Sequence, residues 1–467
     1  MKDIFFKIIS ISLTVFMFLS CTENEPTKPE DDPIDDPGVF DATGNTNPNN
    51  SLGDPGDVGP FPAQVEVTFA SPYSDLKMRF CPPARPVLVS ENGIEYSSGY
   101  AETYDPDTGI EGSFEVYADF DNNYTSMWIE LKNNARIIVR WKGALVAHVE
   151  GQGPKIAHAE DNSGSPYGNG SGDWVDEIYY IYPDAIRTRY ATIYTAFAST
   201  SQPFGFDREP PNYVHEFMEM TVWSYGNRIP SNDIDITALT LVNMEGQSSD
   251  ISYSSYPSYP HGFGNFEYSN IVRINIKSDW RPFVIGRTDN VTIRPYDAEE
   301  TPDPFQSWGE RGIGFATALG HMVNWQHFEQ TSNTISQLYL EGLTNTDIPG
   351  ADLAALANSW INPPGMTITS DGFSIVGRGY QAVERAYHVR KDSGSNLEFT
   401  LNAGTESPGV RPAFVIEGWG TTVASTVRMN DISLKENSEF RQGIEGENLI
   451  IWINKELTSA ASFSVEE

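Results

Sequence analysis

The chain reads as an all-β protein: a large antiparallel β-sandwich of the supersandwich kind, with a few helical insertions and a C-terminal β-sandwich portion. Three observations predict this. Runs such as QVEVTFA (64–70), SMWIELK (126–132), EIYYIYP (177–183) and NIVRINIKS (270–278) alternate with period two and are rich in β-branched and aromatic residues. Turn clusters such as DPDTG (105–109) and EDNSGSPYGNGSGD (160–173) separate such runs. From about Met366 the strand pattern returns in FSIVG, LEFTLNA, PAFVIEGW and NLIIWINKE. Sheets packed face to face accommodate this pattern most simply.

Taken in order, residues 1–20 look like a bacterial lipoprotein signal. Lys2 and Lys7 precede the apolar run IISISLTVFMFL, which is too short for a permanent membrane span, and Ser20-Cys21 closes it. Cys21 is then the lipidated residue, anchoring the chain to the outer membrane on its periplasmic or cell-surface face. Residues 21–58 are rich in Pro, Gly, Asn and Asp and read as an acidic, flexible tether. The body follows as a main sandwich over 59–365, carrying the sugar site, and a C-terminal β portion over 366–467. Helical pieces are expected in RGIGFATALGHMVNWQHF (311–328) and ADLAALANSWI (351–361).

Charge narrows the partners. With 30 basic and 64 acidic residues the chain carries a formal −34, which excludes nucleic acid as a partner. An anionic ligand has to be drawn in by a local basic patch. The chain has two cysteines, so lipidation of Cys21 leaves Cys81 without an intrachain disulfide partner.

The stretch NYVHEFMEMTVW (212–223) carries His215, Glu216 and Glu219. As a helix it approaches the HExxH of zinc proteases, with Glu219 in place of the second histidine. Its Tyr, Val, Phe, Thr and Trp favour a strand instead. That strand places Met218, Met220 and Val222 on one face with Glu216, and His215, Phe217, Glu219, Thr221 and Trp223 on the other.

Two strands carry paired cations: Arg136, Arg140 and Lys142 on one face of ARIIVRWKG, and Arg187 and Arg189 on one face of DAIRTRYATIY. Either set would hold a carboxylate or sulfate through bidentate hydrogen bonds, or pair with neighbouring acids. GDWVDEIYYIYPD concentrates Trp174, Asp176, Glu177, Tyr179, Tyr180 and Tyr182, rings on which sugars stack and hydroxyls that move protons. GHMVNWQHFEQ adds His321, Asn324, Trp325 and His327. No metal or other cofactor is expected, since no third ligand follows these histidines at suitable spacing. CPPAR (81–85) matches the CxPxR core of sulfatases, but a strand-like PVLVSENG follows it where a sulfatase has a helix. The oxygen-rich turns DPDTG and DFDNN are weak calcium signals.

In combination, ARIIVRW, GDWVDEIYYIYPDAIRTRY, HEFMEMTVWS, ITALTLVNMEG, NWQHF, NSWINPP and RPAFVIEGWG resemble a group of secreted proteins found alongside polysaccharide-degrading enzymes and associated with ulvan-type oligosaccharide dehydratases. The resemblance implies a carbon–oxygen lyase acting by metal-free β-elimination on uronate-containing, sometimes sulfated, oligosaccharides. In that reading Arg187, helped by Arg140, holds the uronate carboxylate. His215 or His327 is the base and Tyr180 or Tyr182 the acid. Trp174 stacks on a ring, Glu219 orients His215, and Asn324 contacts substrate. Two other classes fit the same residues. One is a glycoside hydrolase with two carboxylates among Asp176, Glu177, Glu216 and Glu219. The other is a non-catalytic surface glycan-binding lipoprotein.

Overall fold

The computed structural model describes residues 38–44, 64–81, 85–103, 114–116, 119, 124–149, 153–159, 172–195, 198, 214–224, 230–252, 269–287, 291–295, 315–324, 327–347 and 349–467. The signal segment and Cys21 lie outside them. Among the described residues no helix is long and apolar enough to cross a membrane.

The all-β expectation holds. A ten-stranded sheet runs in the order Ser248–Ile251, Ile234–Val242, Ile271–Ile276, Arg281–Gly286, Thr334–Thr344, Ile186–Tyr194, Trp174–Ile181, Ile137–Ala144, Thr125–Lys132. The short strand Glu329–Gln330 pairs with Thr334–Thr344 beyond the end of Arg281–Gly286. An eleven-stranded sheet has the path Asp41–Thr43, Val65–Thr68, Lys77–Cys81, Arg85–Val89, Glu95–Thr103, Val214–Ser224, Phe315–Asn324, Val291–Pro295. Their inner faces share one core. From the first come Val139, Trp141, Val175, Ile193 and Tyr339, and from the second Val67, Phe80, Tyr96, Met218, Met220 and Leu319. Strand alternation places these rings and branches inward and leaves every second residue on the outside.

Two expectations about elements change and a third holds. Within the stretch read as tether, Asp41–Thr43 forms an edge strand on Val65–Thr68, because Phe40 and Ala42 bury themselves and Phe40 stacks on Phe69 at 5.9 Å. Residues of the sandwich therefore occur before position 59. Residues 315–324, expected as helix, form a strand between Val214–Ser224 and Val291–Pro295. Its Ala, Leu and Met suit a helix, but two neighbouring strands supply ladder partners and Leu319 and Met322 enter the core. The NYVHEFMEMTVW question resolves as a strand, Val214–Ser224, with Met218, Met220 and Val222 fully buried in the core.

The other helical expectation holds. Pro349–Ile361 is a helix that starts on proline, a favourable first helical residue. Its Leu353, Leu356, Ala357 and Trp360 cover one part of the outer face of the ten-stranded sheet, over Ile271, Phe283, Ile285, Leu338 and Leu340. Trp360 Nε1 donates to Ala382 O at 2.8 Å. After the helix come two five-stranded sheets with their own core, including Leu397, Phe399, Phe414, Ile451 and Phe463. One of them turns Ala386, Ala413, Val415, Ile450 and Trp452 against Ala135 and Tyr182 of the preceding sandwich.

Candidate functional site

Cross-strand register on the outer face of the ten-stranded sheet lines up a polar row. Ser126 faces Lys142, Lys142 faces Asp176, Asp176 faces Thr192, Thr192 faces Ser336, and Ser336 faces Glu329. Inner-face residues of the same strands, such as Trp141, Val175, Ala191 and Ile335, are in the core, so alternation fixes this row outside.

Within the row the groups are connected. Arg140 Nε and Nη2 donate to the two oxygens of Asp176 at 2.9 and 2.7 Å, a bidentate pair, and Lys142 Nζ stands 3.5 Å from the same carboxylate. Glu130, exposed, is a looser partner at 3.6 Å from Arg140 Nη1. Burial works against the charge on Arg140, but the hydrogen bond and charge of Asp176 outweigh it and raise its pKa. Thr192 and Ser336 hydroxyls meet at 2.8 Å. Tyr190 OH donates to Glu329 at 2.8 Å.

Aromatic rings border the row on both sides. Tyr190 and Tyr194 flank Thr192 along one strand, Trp174 pairs with Tyr194, and Trp128 pairs with Arg140. Tyr190 is braced edge-on by Phe328, ring centroids 6.0 Å apart. Tyr190, Tyr194, Trp128 and Lys142 are half-buried and amphipathic, while Ser126, Arg140, Asp176, Thr192 and Ser336 between and beside them are buried. Burial pushes the pKa of Tyr194 up, and nearby Asp176 adds to the rise. Tyr190 is raised by burial too, partly offset by its hydroxyl neighbours Ser336 and Thr192. Both therefore remain protonated donors at neutral pH.

This face gathers Arg140 and Trp174, which the sequence singled out, together with Lys142 and Asp176. The other expected residues lie elsewhere. Arg187 is fully buried on the inner face, where its Nε and Nη2 donate to Glu341 at 3.1 and 3.0 Å and its guanidinium stacks on Tyr179 at 4.7 Å. It is a core residue, out of reach of a ligand on the outer face. Arg189 beside it pairs with Glu177, and Ser98 Oγ from the opposite sheet donates to Glu341 at 2.5 Å. Tyr182 is also fully buried; its OH donates to Glu384 O at 2.5 Å, and burial pushes its pKa up to about 12. Tyr180 lies at the same junction under the Arg136 guanidinium, 5.4 Å from its ring centre, with its pKa raised by burial. These two tyrosines serve the contact with the C-terminal sheets.

Glu219 sits on the outer face of the eleven-stranded sheet, in register with His321 and accepting a 3.4 Å hydrogen bond from Thr221. That is the far side of the sandwich from Asp176. His327 lies beside Phe328 at the end of the ten-stranded sheet, its Nδ1 3.5 Å from Gln337 Nε2. His215 and Asn324 are in strands, but their side chains lie outside the described residues. Among the described residues no group of three or more His, Cys, Asp or Glu side chains is placed to hold a metal ion. Cys81 and Arg85 of CPPAR face each other across an antiparallel strand pair, so no helix follows that motif.

Tyr190, Thr192, Tyr194, Ser336 and Glu329 were not singled out from sequence. A signal for the first three was present: if Arg187 and Arg189 share one face of DAIRTRYATIY, then Tyr190, Thr192 and Tyr194 must share the other.

No family model matches the chain, and no curated protein matches it. Among solved structures it shows likeness to an alpha-mannosidase from Enterococcus faecalis V583, at 8% identity and TM-score 0.34, over 84% of this chain and 41% of that one. A galactose 1-epimerase from Lactobacillus acidophilus NCFM matches at 7% identity and TM-score 0.28, over 66% of this chain and 99% of that one. A polysaccharide lyase matches at 8% identity and TM-score 0.18, over 83% of this chain and 45% of that one. The chain thus spans less than half the length of the mannosidase and lyase chains it matches. Likeness at this level transfers no activity.

Proposed function

We propose that this protein acts on uronate-containing oligosaccharides by β-elimination, at the outer face of the ten-stranded sheet. The observation that carries the reading is two cations, Arg140 and Lys142, gathered around Asp176 on the same outer face as Tyr190 and Tyr194, in a chain of formal charge −34. Elsewhere the general field repels an acidic sugar, so this pair of cations is where its carboxylate would be held.

A sugar ring over Asp176 and Thr192 has its carboxylate toward Arg140 and Lys142, which makes the adjacent C5 proton acidic. Tyr190 takes that proton while passing its own to Glu329, its hydrogen-bond partner. The freed electron pair forms the C4=C5 double bond, the C4–O bond breaks, and the leaving oxygen takes the proton of Tyr194. Loss of water makes the protein a dehydratase; loss of the next sugar makes it a polysaccharide lyase. Half-buried Trp128 borders the ring, while Trp174, buried against Ala144 and Val146, supports the sheet beneath it.

This division of labour replaces Arg187, Tyr180 and Tyr182 with groups that face outward together. A second reading, a surface glycan-binding protein without catalysis, is favoured by one observation: among the described residues this face carries no imidazole. The paired-carboxylate hydrolase has less support. Glu177 is ion-paired in the interior, and Asp176 and Glu219 lie on opposite outer faces. Asp176 and Glu329 stand three strand spacings apart, about 14 Å, beyond the roughly 5–9.5 Å such enzymes use. A lipid on Cys21 would tether the body to a membrane, with the site reaching sugars at that surface. Incubation with uronate oligosaccharides tests the proposal: the product gains an ultraviolet-absorbing double bond, and its mass tells water loss from chain scission. Binding without either change supports the second reading.

A further inference from the structure

The polar row also has a direction, and its charges are sorted along it. It crosses six strands, so its ends lie about 24 Å apart at roughly 4.8 Å per spacing. That is room for several sugar rings laid side by side. Along the strands a chain has less freedom. On one side of the row the outer face is already covered: the Thr188 hydroxyl donates to Val383 O, and Ala382 and Val383 pack on the apolar cluster that Tyr190 also borders. A linear oligosaccharide therefore lies across the strands.

At one end stand Lys142 and Arg140. Their firm partner is Asp176, while Glu130 is exposed and held only at 3.6 Å. The Glu130 carboxylate thus occupies the place beside Arg140 Nη1 that a ligand carboxylate would take. At the other end are the Thr192 and Ser336 hydroxyls, Tyr190 OH and the exposed carboxylate of Glu329. The arginines of the Ile186–Tyr194 strand, Arg187 and Arg189, point inward and are fully buried, so they bring no positive charge to this end. A carboxylate or hydroxyl acceptor accepts sugar hydroxyls well and repels a second acid.

Resting on the uronate reading above, we propose that the site selects a mixed oligosaccharide lying across the strands, with its acidic unit over Asp176 and Thr192 against Arg140–Lys142, within reach of Tyr190, and an uncharged unit beyond it at Ser336–Glu329. An all-acidic oligomer places a carboxylate against Glu329 and is disfavoured. A fully uncharged oligomer leaves Arg140 and Lys142 with their own acids only.

The test is calorimetric titration of the Tyr194→Phe protein, in which chemistry does not consume the ligand. Three trisaccharides are compared: one uronate flanked by neutral sugars, three uronates, and the first with its carboxylate reduced to an alcohol. The mixed trisaccharide should bind roughly tenfold more tightly than either of the others. Glu329→Gln, a change at an exposed position, should narrow the gap to the all-uronate ligand, and Glu130→Gln should tighten both acidic ligands. Equal or tighter binding of the all-uronate ligand to the starting protein overturns the selectivity while leaving the uronate reading intact. Equal binding of the carboxyl-reduced ligand overturns both, as does the absence of binding by all three.

Discussion

Glu341→Gln isolates the ion network that holds the ten-stranded sheet from within. Glu341 is fully buried, accepts two hydrogen bonds from Arg187 and a third from Ser98 Oγ of the opposite sheet. Glutamine fills the same space, so no cavity forms; the loss is that of a countercharge. Arg187 then remains fully buried without a carboxylate, and removing one partner of such a pair costs about 3–5 kcal/mol. The compact body spans Asp36–Glu467, and at about 2 cal/mol/K per residue its unfolding entropy is about 0.9 kcal/mol/K. The expected fall in Tm is therefore about 3–6 °C, read by scanning calorimetry. The double change Arg187→Met with Glu341→Leu removes both charges and should recover most of that loss. A Glu341→Gln protein that melts with the parent refutes the reasoning. So does a double variant no more stable than the single one, since the deficit would then not come from an orphaned charge.

Other outcomes follow from the same contacts. Glu384 has its pKa lowered to about 2: burial pushes it up, but the hydrogen bond with His388 and the charge of Arg136 outweigh that. A depressed folded pKa means stability present above the ordinary 4.5 and lost as pH falls toward 2. Glu384→Gln should therefore flatten acid unfolding in that window, by about 3 kcal/mol, in pH-dependent urea titrations. Gly342→Ala should destabilise by about 1–3 kcal/mol, because a Cβ there meets Ala185 O at 2.8 Å in a central strand. Trp360→Ala, which empties the helix-to-sheet contact and frees Ala382 O, should cost about 3–5 kcal/mol.

How much of this was legible in sequence depends on what a period of two can say. Alternation identified the strands, including the histidine-bearing one, and it sorted residues correctly into two faces: Met218, Met220 and Val222 apart from Glu219, and Arg187 and Arg189 together. It did not say which face points inward. Arginines are expected outside, so Arg187 looked like a ligand-binding group. Register places Glu341 and Glu177 beside the two arginines, and those partners come from strands 154 and 12 residues away in the chain. Such pairing makes a buried arginine tolerable and is invisible without the fold. The misread 311–328 segment has a related cause. Ala, Leu, Gly and Met there carry weak helix preference, and two neighbouring strands override it. The outer-face row is assembled from six strands, each contributing one residue, so no local motif announces it. Strand-mates are limited to Arg140 with Lys142, Trp174 with Asp176, and Tyr190 with Thr192 and Tyr194.

The most direct test of the central claim is product analysis with uronate oligosaccharides, comparing the parent protein with Tyr194→Phe by ultraviolet absorbance and mass spectrometry. The account predicts an unsaturated uronate product from the parent, and from the variant at least a hundredfold less, of the order that loss of a general acid costs, with binding retained. A folded, sugar-binding parent that yields no unsaturated product, or a variant that yields as much as the parent, would contradict it.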